Sequence, residues 1–333
     1  MITCYLQGGL GNQLFIIITT LAYALRHNQP VLFHYSDKLT GGCTLRYTFW
    51  DTFLFALKPL TTTLSIPLCK VIRENTDGYR PTPSTPVYGV QSLTCAYGSQ
   101  RAKPAYVVRQ RRTTGSLQIE PPLGENRILT GYFQSYKYFD QEYPEIARMV
   151  GIQWFRNKYN VYFTNLGQIR DVCISMHFRL GDYKKVKGTV ILPIDYYIQS
   201  LEYILPYFYR VHNLNHNPQI LYFCEEEDIL TVNGKIAILK NKFPQCVFHH
   251  VPNTYQDWEQ MIIMSLCAYN IVANSTFSWW GAYIGYRDSV QRTNSAQTTD
   301  SVQPNTLVCY PFFEKDRNSG LYPESWYKVM VQK

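Results

Sequence analysis

From Arg170 onward the apolar residues fall into short runs separated by longer mixed stretches, and this alternation constrains the fold most strongly. Residues 172–178, 220–224, 245–249, 270–273 and 307–310 read as strands, and 193–207 and 257–269 as helices. A further helix opens at 277–282, and 325–330 reads as a terminal helix. Strands that alternate with helices predict a parallel, doubly wound sheet. The amino-terminal end has the same grammar. Residues 2–6 (ITCYL) and 31–35 are strands around a glycine turn (Gly8, Gly9, Gly11) and an apolar helix over 12–26. Residues 128–132 give another strand and 144–155 another helix. Residues 61–122, with prolines at 81, 83 and 86, read as irregular, and the polar stretch 287–305 as an exposed loop.

The chain has 333 residues, enough for two domains, each able to bury its own core. The boundary is expected near residues 157–170, giving 1–168 and 169–333, with the terminal helix packing back on the first domain. Hydrophobic residues make up 46% and charged residues 17%, which excludes a disordered chain or a coiled coil. The formal charge of +8 suits an anionic ligand but is too small and scattered to require nucleic acid. The densest basic cluster, Arg109, Arg111 and Arg112, reads as a solvated loop. Nine cysteines with no C-x-x-C pair point to reduced, structural thiols in a cytosolic setting. The early glycines interrupt any signal peptide, and the apolar run 14–25 is too short to span a bilayer.

Four constellations could carry chemistry. Gly8-Gly9-Leu10-Gly11-Asn12-Gln13 joins a strand to a helix, where backbone N–H groups could meet an anion. It matches only part of a dinucleotide fingerprint, because Leu14 stands where a third glycine belongs; a tight structural turn is the other reading. His177-Phe178-Arg179-Leu180-Gly181-Asp182-Tyr183 follows a strand. Period-two alternation places His177 and Arg179 on one side and Phe178 and Leu180 on the other. Arg179 could hold a diphosphate bidentately, with Asp182 orienting it or accepting a proton; a structural Arg–Asp pair is the alternative. Asn274-Ser275-Thr276-Phe277 leads a strand into a helix and could form an anion pocket without metal, or simply cap the helix. Glu225-Glu226-Glu227-Asp228 reads as solvated acids whose side chains diverge, rather than as a metal site.

Taken in order, GGLGNQLF, GYFQSYKYF at 131–139, HFRLGDY at 177–183 and ANSTFSWWGA at 273–282 resemble the alpha-1,2-fucosyltransferase family. Leu192-Pro193 with Tyr196-Tyr197, Asp257 with Met261, and the stretch from Tyr310-Pro311 to Trp326 are similar to it too. The resemblance covers nearly the whole chain. It implies a two-domain GT-B fold with a Rossmann-like carboxy-terminal domain that holds the donor, GDP-L-fucose. It also implies metal-independent, inverting transfer to a sugar hydroxyl, expected to be the 2-OH of galactose, with no cofactor beyond the donor and a glycan as acceptor. On this likeness His177 contacts the guanine-nucleoside end and Arg179 the diphosphate. Asn274, Ser275, Thr276 and Phe277 line the phosphate pocket, and Gly9, Gly11, Asn12 and Gln13 face the acceptor side. Arg179 and Asp182 would be catalytic. The family usually has a second arginine where this chain has Leu180, so either one arginine suffices or Lys184 or Lys185 supplies the charge. Other readings are another GDP-deoxyhexose donor, a non-catalytic nucleotide or glycan binder, and, last, an oxidoreductase. Family members from eukaryotes carry a membrane anchor, so a cytoplasmic enzyme of bacterial or viral type is expected.

Overall fold

The computed structural model describes residues 1–39, 45–66, 70–73, 111–113, 116–118, 126–165, 172–186, 188–212, 216–295, 306–314 and 320–331. Two compact units emerge: Met1–Ile152 with Asn318–Leu321, and Gln153–Arg317 with Tyr322–Lys333. The division comes earlier than the expected 168/169.

The first unit opens with β1 (Ile2–Cys4) and α1 (Leu10–Arg26). Helix α1 is apolar nearly all round, and residues such as Leu14, Phe15, Ile16, Ile17, Ile18 and Leu21 are all buried. Short strands follow: β2 (Phe33–His34), β3 (Lys38–Leu39), β4 (Arg46–Tyr47), β5 (Thr61–Thr62) and β6 (Lys70–Arg73). Next come the hairpin strands β7 (Arg111–Thr113) and β8 (Ser116–Gln118), then β9 (Arg127–Thr130). Arg111 and Arg112 thus belong to a strand rather than a loop, while Arg109 lies outside the described residues, as does most of 61–122. Strands β1, β9 and β6 form a parallel sheet in the order β1-β9-β6. The helix expected over 144–155 is two helices, α2 (Tyr143–Val150) and α3 (Ile152–Tyr159). Gly151 separates them at φ +79°, a left-handed conformation that ends α2 and that glycine adopts without a Cβ penalty.

After α3 come α4 (Val161–Asn165), β10 (Cys173–His177), α5 (Ile194–His212), β11 (Gln219–Phe223) and α6 (Ile229–Lys242). The chain continues through β12 (Val247–His250), α7 (Asp257–Leu266), β13 (Tyr269–Ile271), α8 (Thr276–Ser295), β14 (Leu307–Phe312) and β15 (Tyr327–Met330). Six strands form one parallel sheet in the order β12-β11-β10-β13-β14-β15. Numbered by their appearance within this sheet, the strands run 3-2-1-4-5-6, the doubly wound arrangement in which the direction of winding reverses beside the first strand. That reversal falls between β10 and β13. The core beneath joins strand residues Ile174, Met176, Ile220 and Ile271 to Leu201, Ile204 and Phe208 of α5.

Three expectations for this unit change. Of the stretch expected as a terminal helix, residues 327–330 form an edge strand, β15; Val329 is buried in the core while Tyr327, Lys328 and Met330 are exposed. Helix α8 continues through residues 287–295, expected to be loop, and 296–305 lie outside the described residues. Helix α6 was not expected, although Val232, Ile236 and Leu239 recur at helical spacing and are buried.

Candidate functional site

Parallel strands end together, so the residues just past β11, β10 and β13 meet at one edge of the sheet. Each strand is buried on both faces, and polar groups collect where the chain leaves it. His177 ends β10. Its imidazole is 6% exposed, and its pKa is pushed down to about 3, first by burial and then by the Arg179 charge. Nδ1 of His177 has no hydrogen-bond partner among the described residues. Its ring lies 5.3 Å from that of Phe277, in the first turn of α8.

Phe178 and Leu180 turn the other way, into the hydrophobic core. This confirms the expected alternation and explains the departure at Leu180: a residue 3% exposed among aliphatic neighbours fills core volume. Neither Lys184 nor Lys185 is seen to replace the missing guanidinium. Lys184 pairs with Asp228, and no partner is described for Lys185.

Arg179 is gripped on two sides. One guanidinium nitrogen bonds Asp182 Oδ1 at 2.5 Å and the other bonds Glu225 Oε1. The guanidinium also lies 5.2 Å from the centre of the Tyr183 ring. Glu225 leaves β11, the neighbour of β10, and its pKa is raised: burial dominates, and Arg179 opposes it. The turn is compact because Gly181 has φ +28° and no side chain. A Cβ there would collide with the Glu225 carboxylate. The Gly181 N–H donates to Asp228 Oδ2 at 2.6 Å, and Asp228 is fully buried.

Glu225, Glu226 and Glu227 are exposed, as expected of solvated acids, whereas Asp228 is buried and the side chains do not diverge. The 3-10 turn Glu226–Asp228 folds oxygens of Glu225, Glu227 and Asp228 to within 4.8 Å of one another. Two of these carboxylates are already compensated, Glu225 by Arg179 and Asp228 by Lys184. What hides this from the sequence is tertiary: only the pairing of β10 with β11 brings Glu225 to Arg179.

Beyond β13, Asn274 Nδ2 donates to the Val190 carbonyl at 2.9 Å, and the Tyr183 hydroxyl donates to the Asn274 carbonyl at 2.7 Å. Ser275 Oγ accepts from the Phe277 N–H at 3.3 Å and so caps α8, while Thr276 is the first residue of that helix. The second unit thus brings together His177, Arg179, Asp182, Asn274, Ser275, Thr276 and Phe277.

Gly9, Gly11, Asn12 and Gln13 belong to the first unit, at the start of α1. Gly8, at φ +75°, leaves room that the Asn12 side chain fills; a Cβ would lie 2.5 Å from Asn12 Nδ2. Asn12 Oδ1 accepts from Gln134 at 2.9 Å. Gln13 is fully buried, and its Nε2 donates to the Gly8 and Tyr47 carbonyls at 3.0 and 2.8 Å. Its amide nitrogen therefore shapes the glycine turn. No helix among the described residues is long and apolar enough to cross a membrane.

Comparison with known proteins gives the site its context. The chain is 31% identical over 118 residues to the O-antigen biosynthesis glycosyltransferase WbnK of Escherichia coli, covering 33% of each chain. It is 27% identical over 164 residues to an alpha-1,2-colitosyltransferase of Escherichia coli, covering 47% of each. These alignments thus span between a third and half of the curated relatives' lengths. Among solved structures, the glycosyl transferase family 9 protein from Veillonella parvula DSM 2008 gives a TM-score of 0.46 at 11% identity, over 100% of this chain and 85% of that one. The family model for glycosyl transferase family 11 matches residues 124–306, more than half of the chain and all of the β10–α8 edge. On that match the chain belongs to glycosyl transferase family 11, an alpha-1,2-fucosyltransferase-like family.

Proposed function

We propose that the protein transfers L-fucose from GDP-β-L-fucose to a sugar hydroxyl, the 2-OH of galactose, with inversion and without a metal ion. The observation that carries this is Arg179, held in a fixed orientation at the winding reversal of the sheet by Asp182 and Glu225. Departure of GDP builds negative charge on the diphosphate, and a preformed guanidinium meets that charge without reorganising. The amino-terminal end of α8, with Ser275 and Thr276, adds backbone dipole on the neighbouring strand end. His177 and Phe277 supply a ring surface for the nucleoside. As GDP leaves, the ring carbon it vacates becomes cation-like, so the acceptor hydroxyl needs little activation. Asp182 acts through Arg179, as a positioning residue. On the other unit, Gly9, Gly11, Asn12 and Gln13 form the turn assigned to the acceptor side.

A related deoxyhexose donor is the second reading, supported by the printed activity of the colitosyltransferase relative. Colitose is fucose without its 3-hydroxyl, so the two donors separate the readings. The test is incubation with GDP-fucose or GDP-colitose and a galactoside panel, followed by linkage analysis. An α-1,2-fucosylated product is expected. Transfer from GDP-colitose alone would favour the second reading, and GDP binding without transfer to any glycan would overturn both.

A further inference from the structure

We infer that Asn274 recognises a hydroxyl of the donor's deoxyhexose ring, and does not line the phosphate pocket. This rests on the reading of Arg179 as the diphosphate-binding cation. The argument begins with the amide's two ends. Nδ2 donates to the Val190 carbonyl at 2.9 Å, which fixes which end is nitrogen, because a carbonyl can only accept. The remaining atom, Oδ1, is an acceptor that is buried and has no hydrogen-bond partner among the described residues. A phosphate oxygen is also an acceptor and would be repelled there. What satisfies Oδ1 is a donor, and sugar hydroxyls are donors. An orphaned buried carbonyl is costly, so a ligand that supplies the missing donor is favoured.

Placement points to the sugar rather than the nucleoside. The His177 and Phe277 rings lie 5.3 Å from each other. Asn274 is tied to Tyr183 and Val190, and Tyr183 is the ring on which the Arg179 guanidinium rests. With the diphosphate on Arg179 and the base on the rings, the hexose is left for the Asn274 side.

The experiment compares Asn274→Leu and Asn274→Ala with the wild-type protein. It measures GDP affinity by titration, thermal melting, and kcat/KM with GDP-fucose and with donors lacking the 2-, 3- or 4-hydroxyl of the hexose. Both substitutions are expected to lower kcat/KM for GDP-fucose by about 10- to 100-fold while GDP affinity stays within about threefold. For one deoxy donor the substitutions should have little further effect, as a double-mutant cycle requires of two directly coupled groups. Loss of GDP affinity in step with kcat/KM in folded variants would overturn the proposal, placing Asn274 against the nucleotide. Equal sensitivity of every deoxy donor to the substitutions would overturn it as well. Failure of the underlying reading looks different: Arg179→Ala would bind GDP as tightly as the wild-type protein does.

Discussion

Leu180 is packed into the core and Lys184 is engaged with Asp228, so neither supplements the Arg179 charge. Arg179→Ala is therefore expected to lose about 10²–10³ in kcat, the typical cost of removing one preorganised group that meets developing charge. Arg179→Lys should recover only part of it, because an ammonium cannot bridge two oxygens in a plane. Steady-state kinetics with GDP-fucose checks both. His177 makes a prediction about pH. It is held neutral down to about pH 3, whereas an unfolded chain protonates it near 6.5. Its contribution to stability is thus fully present above pH 6.5 and lost as pH falls from there toward 3. The slope is about 1.4 kcal/mol per pH unit. Denaturant titrations between pH 7 and 5 should show a shallower acid decline for His177→Gln than for the wild type, by about one proton.

Among the elements, α7 and α8 depend on two glycines one turn apart. A Cβ on Gly285 would lie 2.6 Å from the Ser265 carbonyl oxygen, and one on Gly281 would lie 2.6 Å from Met264 Sδ. Backbone cannot yield as a methionine side chain can. Gly285→Ala should therefore destabilise by about 1–3 kcal/mol despite alanine's better helix propensity, and Gly281→Ala by less. Thermal melts of the two variants test the order. The same contrast between local signal and packing explains the two elements expected otherwise. Residues 325–330 contain Trp326, Tyr327 and Val329 in too short a run to distinguish helix from edge strand. The open edge of β14 settles the matter by accepting β15 in parallel register. Arg156 shows the same influence at a distance. It lies in α3, where local signal runs on from α2, yet its guanidinium bonds Ser265 Oγ at 3.0 Å and Asp288 at 2.9 Å, so α3 belongs with α7 and α8.

Over the whole molecule, Glu225 and Asp228 each pair with a protein cation, Arg179 (shared with Asp182) and Lys184, and the proposed reaction routes no step through a metal ion. Transfer from GDP-fucose is expected to be unchanged by EDTA; abolition by EDTA and recovery with Mg²⁺ or Mn²⁺ would refute the metal-free mechanism. The α/β class, the places of β10 to β14 and of α5, α7 and the start of α8, and the facing of His177 and Arg179 away from Phe178 and Leu180 were determined by the sequence alone. Each follows from apolar spacing over a few residues, where period two or period 3.6 acts locally. Only the tertiary structure decided that Glu225 grips Arg179, that Asp228 is buried under Gly181, and that Asn274 offers an oxygen rather than a nitrogen. Those facts depend on which strands become neighbours. Residues 46 and 91 apart meet across the β11-β10-β13 edge, and hydrogen-bond partners so far apart leave no periodic trace along the chain.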